Sequence, residues 1–138
     1  MAIDRPAADI FPWLLDVDKH LRWVEGLTSS EPLEPGEPRL GSRFREGIAQ
    51  HGLSTTVETT IDELDPPRSL ALQVAGRGFK ARTTTRLEEQ DGHTRVVSIL
   101  ETKVAGLAGR VVGGVVSRQA QGSLERSLQK LKQLVENS

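Results

Sequence analysis

The chain has 138 residues, of which 18 are basic and 19 acidic, so its formal net charge is -1. This length suits one domain, and we expect residues 1–138 to form a single domain whose core needs no disulfide. Neither sign of charge forms a run that could follow a phosphate backbone, which argues against nucleic acid as a partner. The absence of cysteine excludes disulfides, thiol nucleophiles and cysteine-based metal sites, and it favours a cytoplasmic location.

No segment has the composition of an export signal or a membrane span. The N-terminal residues lack the basic and apolar regions of a secretion signal. The longest weakly polar stretch, 104–116, contains Arg110 and is shorter than the roughly 20 apolar residues that a bilayer-spanning helix needs. We therefore expect a soluble protein without a membrane span.

The first predicted element is helical and covers residues 6–24, followed by an irregular connection. Its apolar stripe consists of Ile10, Phe11, Leu14 and Leu15. Because proline disrupts a helix interior, we expect the helix to start late or to bend at Pro12. Asp18 is predicted to cap a second short helix that ends at Gly26. From Thr28 to Gly41, three prolines and two glycines predict an irregular loop, which often forms a flap over a functional site.

The middle of the chain alternates as strands do, and four turns divide it into five antiparallel strands. The turns are His51-Gly52, Asp65-Pro66-Pro67-Arg68, Gly76-Arg77 and Asp91-Gly92. With each turn as a hairpin centre, Arg45 faces Glu58 and Arg82 faces Glu101. These opposite-charge pairs fix the solvent face of the predicted sheet.

The other face of this sheet is predominantly apolar and is predicted to line a core or a concavity. Its apolar members are Phe44, Ile48, Val57, Ile61, Leu70, Leu72, Val74, Phe79, Ala81, Leu87, Val96 and Leu100. Its polar members are Glu46, Thr55, Thr59, Glu63, Thr83, Thr85, Ser98 and Thr102. For Glu63, which lies near a turn, exposure to solvent is favoured over a place on this face.

The last 33 residues have the pattern of one long helix whose two halves differ. In the second half an apolar stripe faces the core, formed by Leu124, Leu128, Leu131 and Val135. In the first half the same stripe continues through small residues, namely Gly106, Gly109, Gly113 and Ser117. A small-residue face against a sheet would leave space for a ligand, whereas a break near Gly113-Gly114 would exchange the two faces.

The opposite side of this first half is apolar and consists of Leu107, Val111, Val112 and Val115. Such a patch usually marks a contact with a partner or with a second copy of the chain. A homodimer through these residues is therefore one hypothesis, and the alternative is that a break turns them inward.

Four segments carry a resemblance to a known family. They are IDRPAADIFPWLLDVDKHLRW at 3–23, GSRFRE at 41–46, IDELDPPRSLALQV at 61–74 and GSLERSLQKLKQLVE at 122–136. In these the chain resembles the START-like or SRPBCC superfamily, in particular its polyketide cyclase/dehydrase-like branch. The resemblance implies an α+β helix-grip fold: a curved antiparallel sheet around a long C-terminal helix, with two short helices after the first strand. It also implies a cavity for small apolar or amphipathic molecules, and no particular reaction.

The inward residues nearest such a cavity are candidate ligand contacts. They are Phe44, Val57, Thr59, Leu72, Phe79, Thr83, Ser98, Leu100, Gly109, Gly113 and Ser117. For the threonines, strand propensity is the competing explanation. For Trp13 and Trp23, core packing is favoured over a place in the cavity wall.

Glu46 is the candidate catalytic residue, because a poorly solvated carboxylate among apolar neighbours suits a general acid or base. The alternative is that a strand end carries Glu46 to the rim, or that an arginine neutralises it. We place His20 on a helix surface and His51 and His93 in turns, so we expect no metal site and no cofactor.

Three hypotheses of function follow. The leading one is a protein that binds a small apolar or amphipathic ligand between the sheet and the C-terminal helix. The second is a cyclase, dehydratase or isomerase that uses Glu46 as the acid/base group. The third is a homodimeric interaction module.

Overall fold

The computed structural model describes residues 1–50, 52–76, 78–104 and 118–138. The helices are α1 (Ala7–Leu15), α2 (Val17–Trp23) and α3 (Arg118–Glu136). The strands are β1 (Ala2–Ile3), β2 (Leu27–Pro32), β3 (Arg43–Gln50), β4 (Leu53–Asp65), β5 (Ser69–Gly76), β6 (Phe79–Gln90) and β7 (His93–Val104). They form a seven-stranded antiparallel sheet in the order β1-β7-β6-β5-β4-β3-β2. The predicted helix-grip architecture is confirmed.

The strand pairing of the five-strand meander agrees with the predicted register. Arg45 lies opposite Glu58, and Arg82 lies opposite Glu101. The β6–β7 turn holds Asp91 at φ 54° and Gly92 at φ 81°, a pair of positive values that matches the twist of a tight hairpin. Turn chemistry therefore sets which side chains share the concave face.

A β-bulge in β4 is the main departure from strict alternation. The register shifts between Ile61 and Glu63, so that Ile61 pairs with Leu72 but Glu63 pairs with Ala71. The extra residue moves Glu63 to the outer face and turns Leu64 inward, where it packs against the core. The inward position that strict alternation gives Glu63 is therefore wrong, and its outward position agrees with the solvent exposure favoured for it.

The predicted irregular stretch at 28–41 is wrong in its first part, because β2 forms there and pairs with β3. Ser29 lies opposite Gly47, and its hydroxyl accepts a hydrogen bond of 3.1 Å from the Gly47 N–H. A Cβ at Gly47 would lie 2.6 Å from that hydroxyl oxygen, so glycine permits this close approach. The strand was missed because polar residues dominate its exposed edge.

The helical segment at 6–24 consists of two helices that meet at Asp16. Pro12 lies inside α1, which starts at Ala7, so the helix does not begin late. The Asp16 side chain caps α2 by accepting a 3.2 Å hydrogen bond from the Lys19 N–H. The predicted cap at Asp18 and the predicted end at Gly26 are therefore corrected to Asp16 and Trp23.

The hydrophobic core lies at one end of the sheet, which we call the closed end. There α1, α2 and the C-terminal half of α3 cover the concave face. Its fully buried members include Ile3, Ile10, Ile61, Leu131 and Val135. The predicted stripe of α3 thus reaches the core through Leu131 and Val135, while Leu124 and Leu128 are half-buried.

Hydrogen bonds tie the N-terminal segment to the end of α3 at this closed end. The Asp4 N–H donates to Glu136 Oε2 at 2.9 Å, and Arg5 donates to the Glu136 carbonyl at 2.6 Å. Buried Thr94 donates its hydroxyl to the Arg5 carbonyl at 2.7 Å. We call these three bonds the terminal clasp.

Residues 105–117 lie outside the described residues. They include the small-residue face (Gly106, Gly109, Gly113 and Ser117) and the apolar patch predicted for a homodimer (Leu107, Val111, Val112 and Val115). Within the described ranges, no helix has the length and apolar character needed to cross a membrane.

Candidate functional site

A small cavity lies where the concave face of the sheet meets α1 and α2. Its volume is about 30 Å³, enough for about one water molecule. Apolar side chains form most of its wall. The lining residues are Leu14, Leu15, Val17, His20, Ser30, Phe44, Glu46, Thr59, Ile61 and Leu72.

Glu46 and Thr59 form the polar part of the cavity floor. Strand pairing sets Phe44 opposite Thr59 and Glu46 opposite Val57, so all four share the concave face. Glu46 is 7% exposed and Thr59 is 2% exposed. The Thr59 hydroxyl donates to Glu46 Oε1 at 2.5 Å, a short distance typical of a hydrogen bond to a carboxylate.

The position of Glu46 argues against the two competing explanations, a place at the rim and neutralisation by an arginine. It sits within β3, not at the rim. In the described part of the chain, no arginine or lysine forms an ion pair with it. A buried carboxylate with one hydroxyl donor therefore faces a mostly apolar cavity.

His20 also lines this cavity, so its predicted position on a helix surface is wrong. Its ring packs edge-on against Trp23, with ring centroids 5.2 Å apart. Its Nδ1 is shielded from solvent and has no hydrogen-bond partner among the described residues. Burial lowers the pKa of His20, and this effect outweighs the opposite influence of Glu46 and of the Leu14 carbonyl. The neutral imidazole is therefore favoured.

The sequence does contain a signal for this orientation. Val17, His20, Leu21 and Val24 follow helical spacing and share one face of a short helix. That face is apparent only if a new helix begins at the Asp16 cap, because the extended backbone of Asp16 separates α2 from α1. A single helix from 6 to 24 gives the wrong face for His20.

The structure brings four of the predicted site residues together at the cavity: Phe44, Glu46, Thr59 and Leu72. Val57 is buried opposite Glu46 but does not line the cavity.

Other predicted contacts lie further along the same face. Thr83, Ser98 and Leu100 are half-buried on β6 and β7. The Ser98 hydroxyl is 3.2 Å from the hydroxyl of Thr85. Phe79 is the first residue of β6 and pairs with Gly76 and Val104. The predicted contacts Gly109, Gly113 and Ser117 fall outside the described residues.

Both tryptophans belong to the hydrophobic core at the closed end. Trp23 Nε1 donates a buried 2.8 Å hydrogen bond to the Trp13 carbonyl, which joins α2 to α1. The two rings do not line the cavity.

In the described ranges, no group of three His, Asp or Glu side chains could hold a metal ion. The carboxylate, the imidazole and the hydroxyls that line the cavity could form hydrogen bonds or transfer a proton.

The fold is similar to several solved structures. A protein from Chromobacterium violaceum gives a TM-score of 0.72 at 20% identity, over 99% of this chain and 94% of that one. The major latex-like protein 151 of Panax ginseng gives 0.72 at 12% identity, over 97% of this chain and 92% of that one. The di-domain ARO/CYC StfQ from the steffimycin biosynthetic pathway gives 0.70 at 12% identity, over 99% of this chain and 43% of that one. At these identities the likeness shows the fold alone.

No curated protein matches the sequence. A family model does match it, over residues 1–136, and the description of that family is polyketide cyclase / dehydrase and lipid transport. The match covers nearly the whole chain, and the chain belongs to this polyketide cyclase/dehydrase and lipid transport family.

Proposed function

We propose that residues 1–138 act as one domain that binds a small apolar or amphipathic molecule against the concave face of the sheet. The observation that carries the proposal is the buried carboxylate of Glu46 in a mostly apolar cavity. Ligand sites typically combine an apolar wall with a few polar groups that orient the ligand. The family match is consistent with this function.

The cavity accommodates only the polar end of such a ligand, because its volume is about 30 Å³. The apolar part needs a further surface, and the same face of the sheet continues beyond the cavity across β5, β6 and β7. Val74, Ala81 and Leu100 are half-buried there and share the face with Leu72. An elongated ligand would thus place its polar end at Glu46 and its apolar end over these residues.

A cavity-filling substitution tests this placement. In Val17→Phe, the added ring volume on α2 would enter the cavity. We expect at least a tenfold loss of affinity for the neutral fluorescent probe N-phenyl-1-naphthylamine, measured by fluorescence titration. Val97→Phe makes the same change on the outer face of β7 and should bind the probe as the parent does. A parent that takes up no probe, or a Val17→Phe variant that binds it as the parent does, would contradict the proposal.

The second candidate function is acid/base catalysis on a carbonyl compound, and the pairing of Glu46 with His20 in one cavity favours it. The carboxylate would remove a proton next to the carbonyl, and correct positioning would supply much of the rate.

Deuterium exchange at the α-carbons of 2-nonanone in D₂O, followed by NMR, measures this proton transfer without requiring the natural substrate. We expect the parent to accelerate the exchange and Glu46→Gln to lose the acceleration. An acceleration that persists in Glu46→Gln would remove Glu46 from the mechanism and leave binding untouched.

A further inference from the structure

The polar groups of the cavity differ in the hydrogen bonds and the charges that they present to a ligand. Glu46 is an acceptor when ionised, and Thr59 already donates its hydroxyl hydrogen to Glu46. Ser30 contributes a second hydroxyl, and His20 contributes a ring with a shielded, unpartnered Nδ1. Among the described lining residues there is neither an arginine nor a lysine.

One consequence is electrostatic: a negatively charged group on the ligand would be unfavourable in the cavity beside the carboxylate of Glu46. Burial favours the neutral form of His20, so the ring does not offset the charge of Glu46. Like charges repel strongly where water is largely excluded, because the local dielectric constant is low. A ligand carboxylate or phosphate would meet this repulsion without a cation to balance it.

The hydrogen-bonding capacity of Glu46 also favours a ligand that donates hydrogen bonds over a carboxylate. In the described part of the chain, Thr59 is the single hydrogen-bond donor to Glu46. A carboxylate has about four lone-pair sites, so Glu46 can accept further hydrogen bonds. An alcohol or an amine supplies such donors, whereas an ionised fatty acid supplies none.

We propose that the polar end of the ligand donates a hydrogen bond to Glu46, so that the site takes apolar alcohols and amines and discriminates against carboxylates. This inference rests on the proposed binding function, and it names the class of ligand for the same cavity.

Three ligands with one chain length test it: 1-decanol, decylamine and decanoate. Each competes with N-phenyl-1-naphthylamine at pH 7.5, and the concentration that displaces half of the probe is measured. We expect the alcohol and the amine to act at concentrations at least tenfold below that of decanoate. Competition by the alcohol without the amine, or the reverse, also supports the proposal and distinguishes neutral from cationic donors.

Glu46→Gln should reduce the preference to threefold or less, because the amide is uncharged and also donates hydrogen bonds. Glu88→Gln is the matched control, since Glu88 is exposed on β6 and opposite Arg95. It should retain the selectivity of the parent.

The outcomes separate the two proposals. Decanoate competing as well as decanol in the parent overturns the inferred selectivity and leaves the binding function intact. A parent that binds neither the probe nor any of the three compounds overturns the binding function, and the selectivity with it. A full tenfold preference that survives in Glu46→Gln overturns the role of Glu46.

Discussion

The two ends of the concave face differ in how their side chains are buried. At the closed end, Ile61, Leu87 and Val96 are nearly fully buried beneath the helices. At the other end, which we call the distal end (residues 53–56, 74–76, 78–81 and 98–101), Val74 and Leu100 are half-buried. The cavity with Glu46 lies at the border between them. The comparison indicates that the closed end contributes most of the burial that stabilises the fold, whereas the distal end keeps part of its apolar surface accessible.

The sharpest test of this comparison is one substitution made at both ends. Leu131→Ala removes a side chain that is 0% exposed at the closed end, and such changes cost about 2–5 kcal/mol in the free energy of unfolding. Leu100→Ala makes the same change at the distal end, where the half-buried side chain should contribute about 1 kcal/mol. Urea denaturation measures both. Equal losses would show that stability is spread evenly along the sheet.

The helix pair of the closed end depends on a buried polar contact. Trp23→Phe removes the Nε1 donor that bonds the Trp13 carbonyl at 2.8 Å and leaves that carbonyl without this partner. We expect a loss of about 1–3 kcal/mol, again measured by urea denaturation. A loss no larger than that of an exposed substitution would mean that water replaces the lost bond.

A hydrogen bond between α3 and the segment that follows α2 is expected to contribute less to stability than the contact of Trp23. Buried Ser127 accepts a 2.8 Å hydrogen bond from the Glu25 N–H, whereas Arg126 forms an exposed ion pair with the Glu25 carboxylate at 2.7 Å. We expect Ser127→Ala to cost about 1 kcal/mol and Arg126→Ala to cost less, because water screens an exposed pair. The reverse order in thermal or urea denaturation would contradict this assignment.

The smallest predicted effect is a pH dependence of the folding stability that arises from His20 in the cavity. The folded state lowers the pKa of His20 below its ordinary value of 6.5, so below that pH the unfolded chain binds more protons than the folded chain. This group therefore reduces stability progressively as the pH falls below 6.5 and toward the lowered pKa. We expect the parent to lose more stability than His20→Gln between pH 7.5 and 5.5, measured by urea denaturation. Parallel losses in the two proteins would exclude this contribution.

Most of the sheet was predictable because its turns and its charge pairs agree. The Asp91-Gly92 hairpin and the pairs of Arg45 with Glu58 and Arg82 with Glu101 define one register. That register correctly gathers Glu46 and Thr59 on the concave face.

The errors come from features that periodicity does not encode. The bulge after Ile61 reverses the face of Glu63, and the cap at Asp16 redirects α2 so that His20 enters the cavity. The edge strand β2 was missed because its polar sequence resembles a loop.

The terminal clasp has a consequence for the order in which the chain folds. It joins residues 89 to 132 positions apart, with Thr94 to Arg5 the nearest pair in sequence and Asp4 to Glu136 the most distant. The hairpins from β3 to β7 instead join neighbours in sequence. Closing a long loop costs more chain entropy than closing a hairpin, so distant contacts generally form later. We expect the hairpins to form first and the clasp last. A substitution such as Thr94→Val should therefore speed unfolding and leave the folding rate nearly unchanged.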